Sequence, residues 1–367
     1  MRVAVLGLGL IGGSIGLAAR QRAGAEVWGY DPDPSALSRA LELGAIDGCA
    51  EDPREALEGA DVVFLAGPMG TLAASVDAVL AAAGADCVIS DVGSAKQPLS
   101  EAGSDQRFVG GHPLAGAETA GVEHARADLF EGATWYLTPA PGTSGVLYER
   151  LHRLLVAIGA RPTAIDPETH DRLMATISHL PHVLANLLVA QALGQLASRE
   201  AVQDEDSSRR LPAVGPSFRD ATRVAGANGA IWTDIYISNG EAIIASIDEL
   251  TARLGEVREL LSEGRAPAIV AWNEHARIDR DILLRGDLGG APGEVIRELR
   301  VAVPNRPGVL AEIALALGDG GVNIADMALS PSPDNSQGVI ALWIRGEGHA
   351  AEAERLVDGL GYPVVQA

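Results

Sequence analysis

The sequence predicts three domains in series: a doubly wound α/β domain, an all-helical domain and a small βαββαβ module. Three observations carry this. Up to about residue 166, short continuous apolar runs alternate with helical stretches, as in a parallel sheet covered on both faces. From 167 to 285 strand signals almost vanish. After "RGDLGGAPGE" (285–294), a linker by its glycines, proline and charges, the pattern restarts in a ferredoxin-like order. Domains are therefore expected at 1–166, 167–285 and 296–367.

Within the first domain, "RVAVLG", "AEVWGYD", "DVVFLAGP" and "DCVISDVGS" read as buried strands, with helices at 12–22, 34–43 and 70–83. "RFVGG", "ATWYLTP" and "RPTAID" add strands at its far end. Helical patterns then cover 168–198, 217–226, 230–262 and 266–284, interrupted by "SREAVQDEDSSRRLPAVGP", which reads as a loop or flap. "LPHVLANLLVAQALGQLA" is broken by His182, Asn186 and Gln191 and reads as a buried core helix rather than a membrane span. The last module is expected as strands 296–303, 322–330, 337–345 and 362–366, with helices 307–318 and 349–360.

Composition narrows the function. A formal net charge of −21 repels phosphate backbones and anionic membranes, so neither nucleic acid nor a membrane is an expected partner. The two cysteines, Cys49 and Cys87, make no disulfide framework and no metal-ligand spacing, so no metal is expected and the setting reads as reducing and cytoplasmic. The first twenty residues imitate a signal peptide, but five glycines between Gly7 and Gly16 have another meaning. Of the 28 basic residues one is a lysine, Lys96, which asks for a reason. Steering an anionic ligand and capping a helix both stand open.

"GLGLIGGSIG" spaces Gly7, Gly9 and Gly12 as G-x-G-x-x-G, directly after a strand and opening a helix. Gly7 allows a tight turn, Gly9 lets the backbone approach a pyrophosphate, and Gly12 lets helix and strand pack closely. Asp31 follows Gly12 by 19 residues at the end of "VWGYD", placed to accept from ribose hydroxyls. With Asp33 it repels a 2′-phosphate, which favours NAD over NADP. The first domain is thus of the Rossmann dinucleotide-binding type. Leu10, Ile11, Gly67, Pro68 and Asp91 join Gly7, Gly9, Gly12 and Asp31 as cofactor-contact candidates.

Three further stretches carry polar residues that a packed core would not request. "SDVGSAK" puts Ser94 and Lys96 just past a buried strand, "GGHPLAGAE" holds His112 and Glu118, and "SFRDATRVAG" puts Asp220, Thr222 and Arg223 on a helix of the second domain. His112 is a candidate base, since imidazole has an unperturbed pKa of about 6.5.

Together "GLGLIGGSIG", "DVGSAK", "GGHPLAGAE", "ISHLPH" and "FRDATRVA…IWTDIYISN" resemble the prephenate dehydrogenase family of tyrosine biosynthesis, in order from about residue 2 to 285. "VPNRPGVLAEIALALGDGGVNIADM" resembles an ACT domain, an amino-acid-sensing module. The resemblance implies NAD-dependent oxidative decarboxylation of prephenate to 4-hydroxyphenylpyruvate. It casts His112 as the base, Ser94 as the hydroxyl that bonds it, and Arg223 as the clamp on a substrate carboxylate. Glu118, His179, Arg223 and Trp232 become substrate contacts. Asn305, Pro307 and Gly308, with Asn323, become the pocket for an effector, L-tyrosine, in a homodimer.

Bland readings stand beside these. Arg223 could serve only Asp220, Glu118 could be an exposed helix-start carboxylate, and His179 and His182 read more as wall and core than as chemistry. "GANGAIW" (226–232) is less polar than the family pattern and leaves prephenate and arogenate both open as substrates. A 3-hydroxyacid dehydrogenase would want a lysine in the helical domain, and none follows Lys96. A non-catalytic sensor of NAD and amino acids would not need His112, Ser94 and Arg223 together.

Overall fold

The computed structural model describes residues 1–116, 119–196, 214–287, 296–304, 306, 309–322, 324–331 and 337–365. Its internal contacts divide the chain into two units, Met1–Gly255 and Glu256–Ala367.

The first unit opens with β1 (Arg2–Leu6), α1 (Leu10–Ala23), β2 (Glu26–Tyr30), α2 (Pro34–Glu42), β3 (Gly48–Cys49), α3 (Pro53–Leu57), β4 (Val62–Leu65), α4 (Met69–Ala82) and β5 (Val88–Asp91). A 3-10 turn at Gln97–Ser104, β6 (Phe108–Pro113), β7 (Thr134–Thr138), α5 (Gly145–Ala157) and β8 (Arg161–Ala164) complete the sheet domain. The strand order is β3-β2-β1-β4-β5-β6-β7-β8; β1 to β6 are parallel, and β7 and β8, parallel to each other, run opposite to them. Alternate residues enter two cores: Val3, Val5, Val62 and Phe64 face one, and Ala4, Leu6, Val63 and Leu65 the other. Coverage on both faces is why these strands read as unbroken apolar runs. The short β3 and α3 were not expected. Nor was α5, although Leu147, Leu151, Leu154 and Leu155 form its buried stripe.

The helical part follows as α6 (Pro167–Met174), a π-helical turn (Ala175–His179) and α7 (Leu180–Leu196). Sequence predicted one helix here; the backbone widens because Pro181 has no N–H to continue the regular ladder. Leu180 N–H bonds Ala175 O, five residues back. Next come α8 (Pro216–Thr222), a 3-10 turn (Arg223–Gly226), α9 (Gly229–Ser238) and α10 (Gly240–Glu263). The single helix predicted at 230–262 is instead broken at Asn239, which leaves helical geometry with φ −116° and ψ 25°. The predicted flap falls largely on 197–213, outside the described residues.

One helical run among the described residues, Pro167–Gly194, has the length and composition to cross a membrane. Only 28% of its apolar window is buried, with Leu187, Leu188 and Val189 exposed, so it is not the fully buried core helix that was expected.

The second unit contains α11 (Ala266–Asp287), then β9 (Ile296–Pro304), α12 (Val309–Asp319), β10 (Ile324–Pro331), β11 (Gln337–Arg345), α13 (Glu347–Gly359) and β12 (Val364–Val365). These last six elements give βαββαβ with antiparallel strands in the order β10-β11-β9-β12. Val301, Val303, Ile340, Leu342 and Ile344 form one core with Ile313 and Leu317 of α12 and Ala353 and Val357 of α13.

Candidate active site

Gly7, the first residue after β1, has φ +102°, and its N–H donates to Tyr30 O at 2.8 Å. A Cβ there would lie 2.6 Å from the Ala66 carbonyl carbon, and one on Gly12 would overlap Gly7 O. At Gly9, the N-cap of α1, a Cβ would meet nothing within 4 Å: the glycine borders open space that a side chain would fill. The first N–H groups of α1, from Leu10, Ile11 and Gly12, lack intrahelical acceptors and favour an anion there. Asp31 is held at the end of β2 by Leu8 N (2.7 Å) and Asp33 N (2.9 Å). Asp33 caps α2 through Ser35, whose hydroxyl and backbone N–H hold its carboxyl below the usual range. Gly67 and Pro68 turn β4 into α4, and Gly70 N donates to Asp234 of α9 at 3.2 Å. This donor set fits a pyrophosphate at Gly9 and a ribose at Asp31, the groups NAD presents.

Asp91 behaves otherwise than expected. It is wholly buried, so its carboxylate does not reach a cofactor; it accepts from Gly111 N at 3.0 Å and Gly93 N at 2.7 Å. It also pairs with the Lys96 ammonium, which donates to Gly111 O at 2.7 Å as well. Lys96 is 1% exposed and its side chain makes no helix cap, so neither reading of the lone lysine holds. Burial pushes its ammonium below its ordinary value, and Asp91 opposes this. A Cβ on Gly110 would overlap Thr138 Oγ1 and reach Lys96 Cδ at 3.4 Å, and one on Gly111 would lie 2.6 Å from Asp91 O. The two glycines before His112 let β6 lie on this ion pair.

His112 is the fifth residue of β6, opposite Tyr136 of β7, at the carboxyl edge where β1, β2, β4 and β5 also end. Its Nδ1 lies 2.9 Å from His170 Nε2, and His170 Nδ1 lies 2.8 Å from Asp171 Oδ1. The Asp171 carboxylate also accepts from Lys96 N (2.7 Å) and Gln97 N (2.8 Å), tying α6 to the 3-10 turn after β5. Burial, above all, holds the His112 imidazole well below its ordinary value. It is neutral at neutral pH and half-buried, whereas His170 has no exposed surface. Sequence reading missed His170 and Asp171. In "PETHDRLM" only His170, Asp171 and Met174 are buried, so two polar residues lie on an inward helical face that the sequence alone does not mark.

Ser94 sits half-buried just past β5, but the hydrogen-bond partner of His112 is His170. His179, 1% exposed, is held by Asn239, whose Nδ2 donates to His179 Nδ1 at 3.1 Å and to Asp171 O at 2.8 Å. Burial lowers His179 to about 4. Trp232 stacks on His182 with centroids 3.4 Å apart and meets His179 edge-on at 5.9 Å. Arg223, exposed at the start of its 3-10 turn, is near enough to depress His182, after burial. A continuous set of contacts therefore runs from His112 through His170, Asp171, Asn239 and His179 to Trp232 and His182. Glu118 and the effector candidates Asn305, Pro307, Gly308 and Asn323 lie outside the described residues.

A glycine cradle, an aspartate held at the end of β2 and an imidazole at the same sheet edge define a nicotinamide-dependent oxidoreductase. The chain belongs to the prephenate dehydrogenase family. Models of that family's nucleotide-binding domain and dimerization domain match residues 15–163 and 166–274, and an ACT domain model matches 297–354. The first match begins inside α1, so the cradle stands on its own geometry. The chain is 31% identical over 363 residues to the prephenate dehydrogenase of Bacillus subtilis (strain 168), covering 97% of this chain and 95% of that one. The solved prephenate dehydrogenase from A. aeolicus in complex with hydroxyphenyl propionate and NAD+ has a TM-score of 0.70 at 28% identity, covering 77% of this chain and 98% of that chain. Synechocystis arogenate dehydrogenase follows at 0.66 and 27%, covering 77% and 100%. The exposed apolar residues of α7 fall inside the segment matched by the dimerization domain.

Proposed function

We propose that the protein oxidises prephenate to 4-hydroxyphenylpyruvate and carbon dioxide, with NAD+ as acceptor, on the way to L-tyrosine. The observation that carries this is His112, a neutral, half-buried imidazole at the carboxyl edge of the sheet that also bears the cradle. His112 takes the proton of the substrate's ring hydroxyl as the carbonyl forms. When bound, NAD+ supplies the hydride acceptor. The ring carboxylate then leaves as carbon dioxide, drawn by aromatisation. Arg223 orients a substrate carboxylate with its planar fork, and Trp232 with His182 forms a stacked wall beside it. Ser94 lies beside the reacting hydroxyl, and Glu118 gates the entry.

Arogenate is the second reading, favoured by the likeness to Synechocystis arogenate dehydrogenase. NADH formation on mixing the protein with NAD+ and prephenate, then arogenate, decides between them; no NADH with either ends both. The unit works as a homodimer in the cytoplasm, a setting that suits the two free cysteines, Cys49 and Cys87. The ACT domain takes L-tyrosine as its effector at Asn305, Pro307, Gly308 and Asn323. Coupling of about 1–3 kcal/mol between sites suffices for control. Calorimetry of the intact protein with tyrosine, phenylalanine and tryptophan tests that, and absence of heat with all three rejects it.

A further inference from the structure

We infer that His170 and Asp171 are positioning residues that fix His112 in the tautomer whose Nε2 lone pair takes the substrate's proton. This rests on the reading of His112 as the base. The assignment runs inward from the backbone. Lys96 N and Gln97 N can only donate, so the Asp171 carboxylate is an acceptor in both bonds. Asp171 Oδ1 lies 2.8 Å from His170 Nδ1, so that nitrogen carries the hydrogen. With His170 in its neutral form that hydrogen is its only one, and a lone pair is left on Nε2. That lone pair faces His112 Nδ1 at 2.9 Å, and His112 Nδ1 must therefore be the donor. Nε2 of His112 is left open.

The surroundings of His170 keep this pattern in place. Asp171 meets it from its own helix, His112 from β6, and the Tyr136 ring edge-on from β7 at 5.6 Å. Behind Asp171 stand the Lys96 ammonium, already paired with Asp91, and His179, whose Nδ1 accepts from Asn239. Asp171 is thus the negative charge on the line through His170. When His112 Nε2 gains the hydroxyl proton, its Nδ1 hydrogen stays, and the resulting imidazolium is balanced through His170 by that carboxylate. His170 cannot be the base itself, having no exposed surface.

The experiment uses the full-length protein and two substitutions. His170→Gln places a side-chain oxygen within reach of His112 Nδ1 and keeps an acceptor there; His170→Leu removes it. The Leu variant is expected to lose roughly 10²-fold in kcat, with KM and NAD affinity little changed, and the Gln variant to recover most of that loss. A Leu variant with unchanged kcat, or a Gln variant as slow as the Leu one, overturns the inference. A second measurement needs no substrate and neither His170 variant. Ring-nitrogen NMR of the ¹⁵N-histidine-labelled protein, with the His112 signals identified by their loss in His112→Asn, should show Nδ1 protonated and Nε2 bare. The reverse pattern overturns the inference even if the enzyme is active. The expected pattern in a protein that oxidises neither prephenate nor arogenate upholds the assigned tautomer and rejects only the proposed function.

Discussion

Lys96–Asp91 and Arg277–Glu274 are the same contact in chemical terms, a cation against a carboxylate, set in opposite surroundings. Both side chains of the first are 0% exposed; those of the second are 62% and 52% exposed on α11. Around the first pair every polar group has a fixed partner: Gly93 N and Gly111 N on Asp91, and Gly111 O on Lys96. Around the second, Glu274 and Asp281 both meet Arg277, and water can replace either. Buried, an ion pair acts as scaffold, because neither partner has an alternative; exposed, it is one of many solvated arrangements. The scaffold lies directly beneath the strand that carries His112.

The largest effect should come at His112, the proposed base that this scaffold carries. His112→Asn keeps a polar side chain but cannot take the proton at neutral pH, so kcat should fall by roughly 10²–10⁴ with NAD affinity little changed. Steady-state kinetics with cofactor binding by calorimetry measures both. Ordinary turnover in this variant would remove the chemical meaning of the buried side of the comparison.

Next is the ion pair itself. Lys96→Met leaves Asp91 buried with two backbone donors and no countercharge, which should cost about 3–5 kcal/mol in denaturant unfolding. Lys96→Arg keeps the charge but forces a broader group into a fully buried site, and overpacking of that kind costs about 1–3 kcal/mol. If the Met variant unfolds at the wild-type midpoint, burial does not distinguish the two pairs.

How much of this could be read beforehand depended on where each residue finds its partner. The sheet strands were legible because burial on both faces is written as local apolar runs. His112, Ser94 and Arg223 were legible as polar residues in motifs. Lys96 could be seen as an oddity, but its partners, Asp91 and Gly111 O, come together only once β5 and β6 are side by side. Asn239 looked like one more helical residue. Its bonds to Asp171 O and His179 span 68 and 60 residues, and they hold the break between α9 and α10. His170 and Asp171 needed the knowledge that α6 turns that face towards His112. Pro181 marked a disturbance in the helix, but not that it would take the form of the widened turn at Ala175–His179.

A smaller effect should appear in acid. Asn239 Nδ2 donates to His179 Nδ1, so a proton there would set one N–H against another, and burial adds to the penalty. The folded protein holds His179 neutral down to about 4, and His112 is also held well below 6.5. The unfolded chain takes up these protons from about 6.5 downward, binding more than the fold does. Their contribution is therefore complete above about pH 6.5 and is lost as pH falls towards 4. Thermal midpoints of the wild type and of His179→Gln should converge over that window; parallel curves would show that His179 titrates as it does in water. The acid limb of kcat/KM should likewise lie below 6.5 and vanish in His112→Asn.

The smallest effect belongs to the exposed pair. Arg277→Ala removes contacts to Glu274 at 2.6 Å and Asp281 at 3.3 Å, but both carboxylates keep their water and neither is stranded. Alanine also has the best helix propensity of any residue, which offsets part of what the lost i,i+3 and i,i+4 contacts supplied. Added salt already screens such contacts in the wild type. The unfolding midpoint of Arg277→Ala should therefore match the wild type within replicate scatter, at low and at high ionic strength alike. A clear destabilisation at low salt that disappears at high salt would show that this exposed pair supports the helix. The contrast with Lys96–Asp91 would then be one of degree, because solvent would not have released the surface carboxylates from their partner.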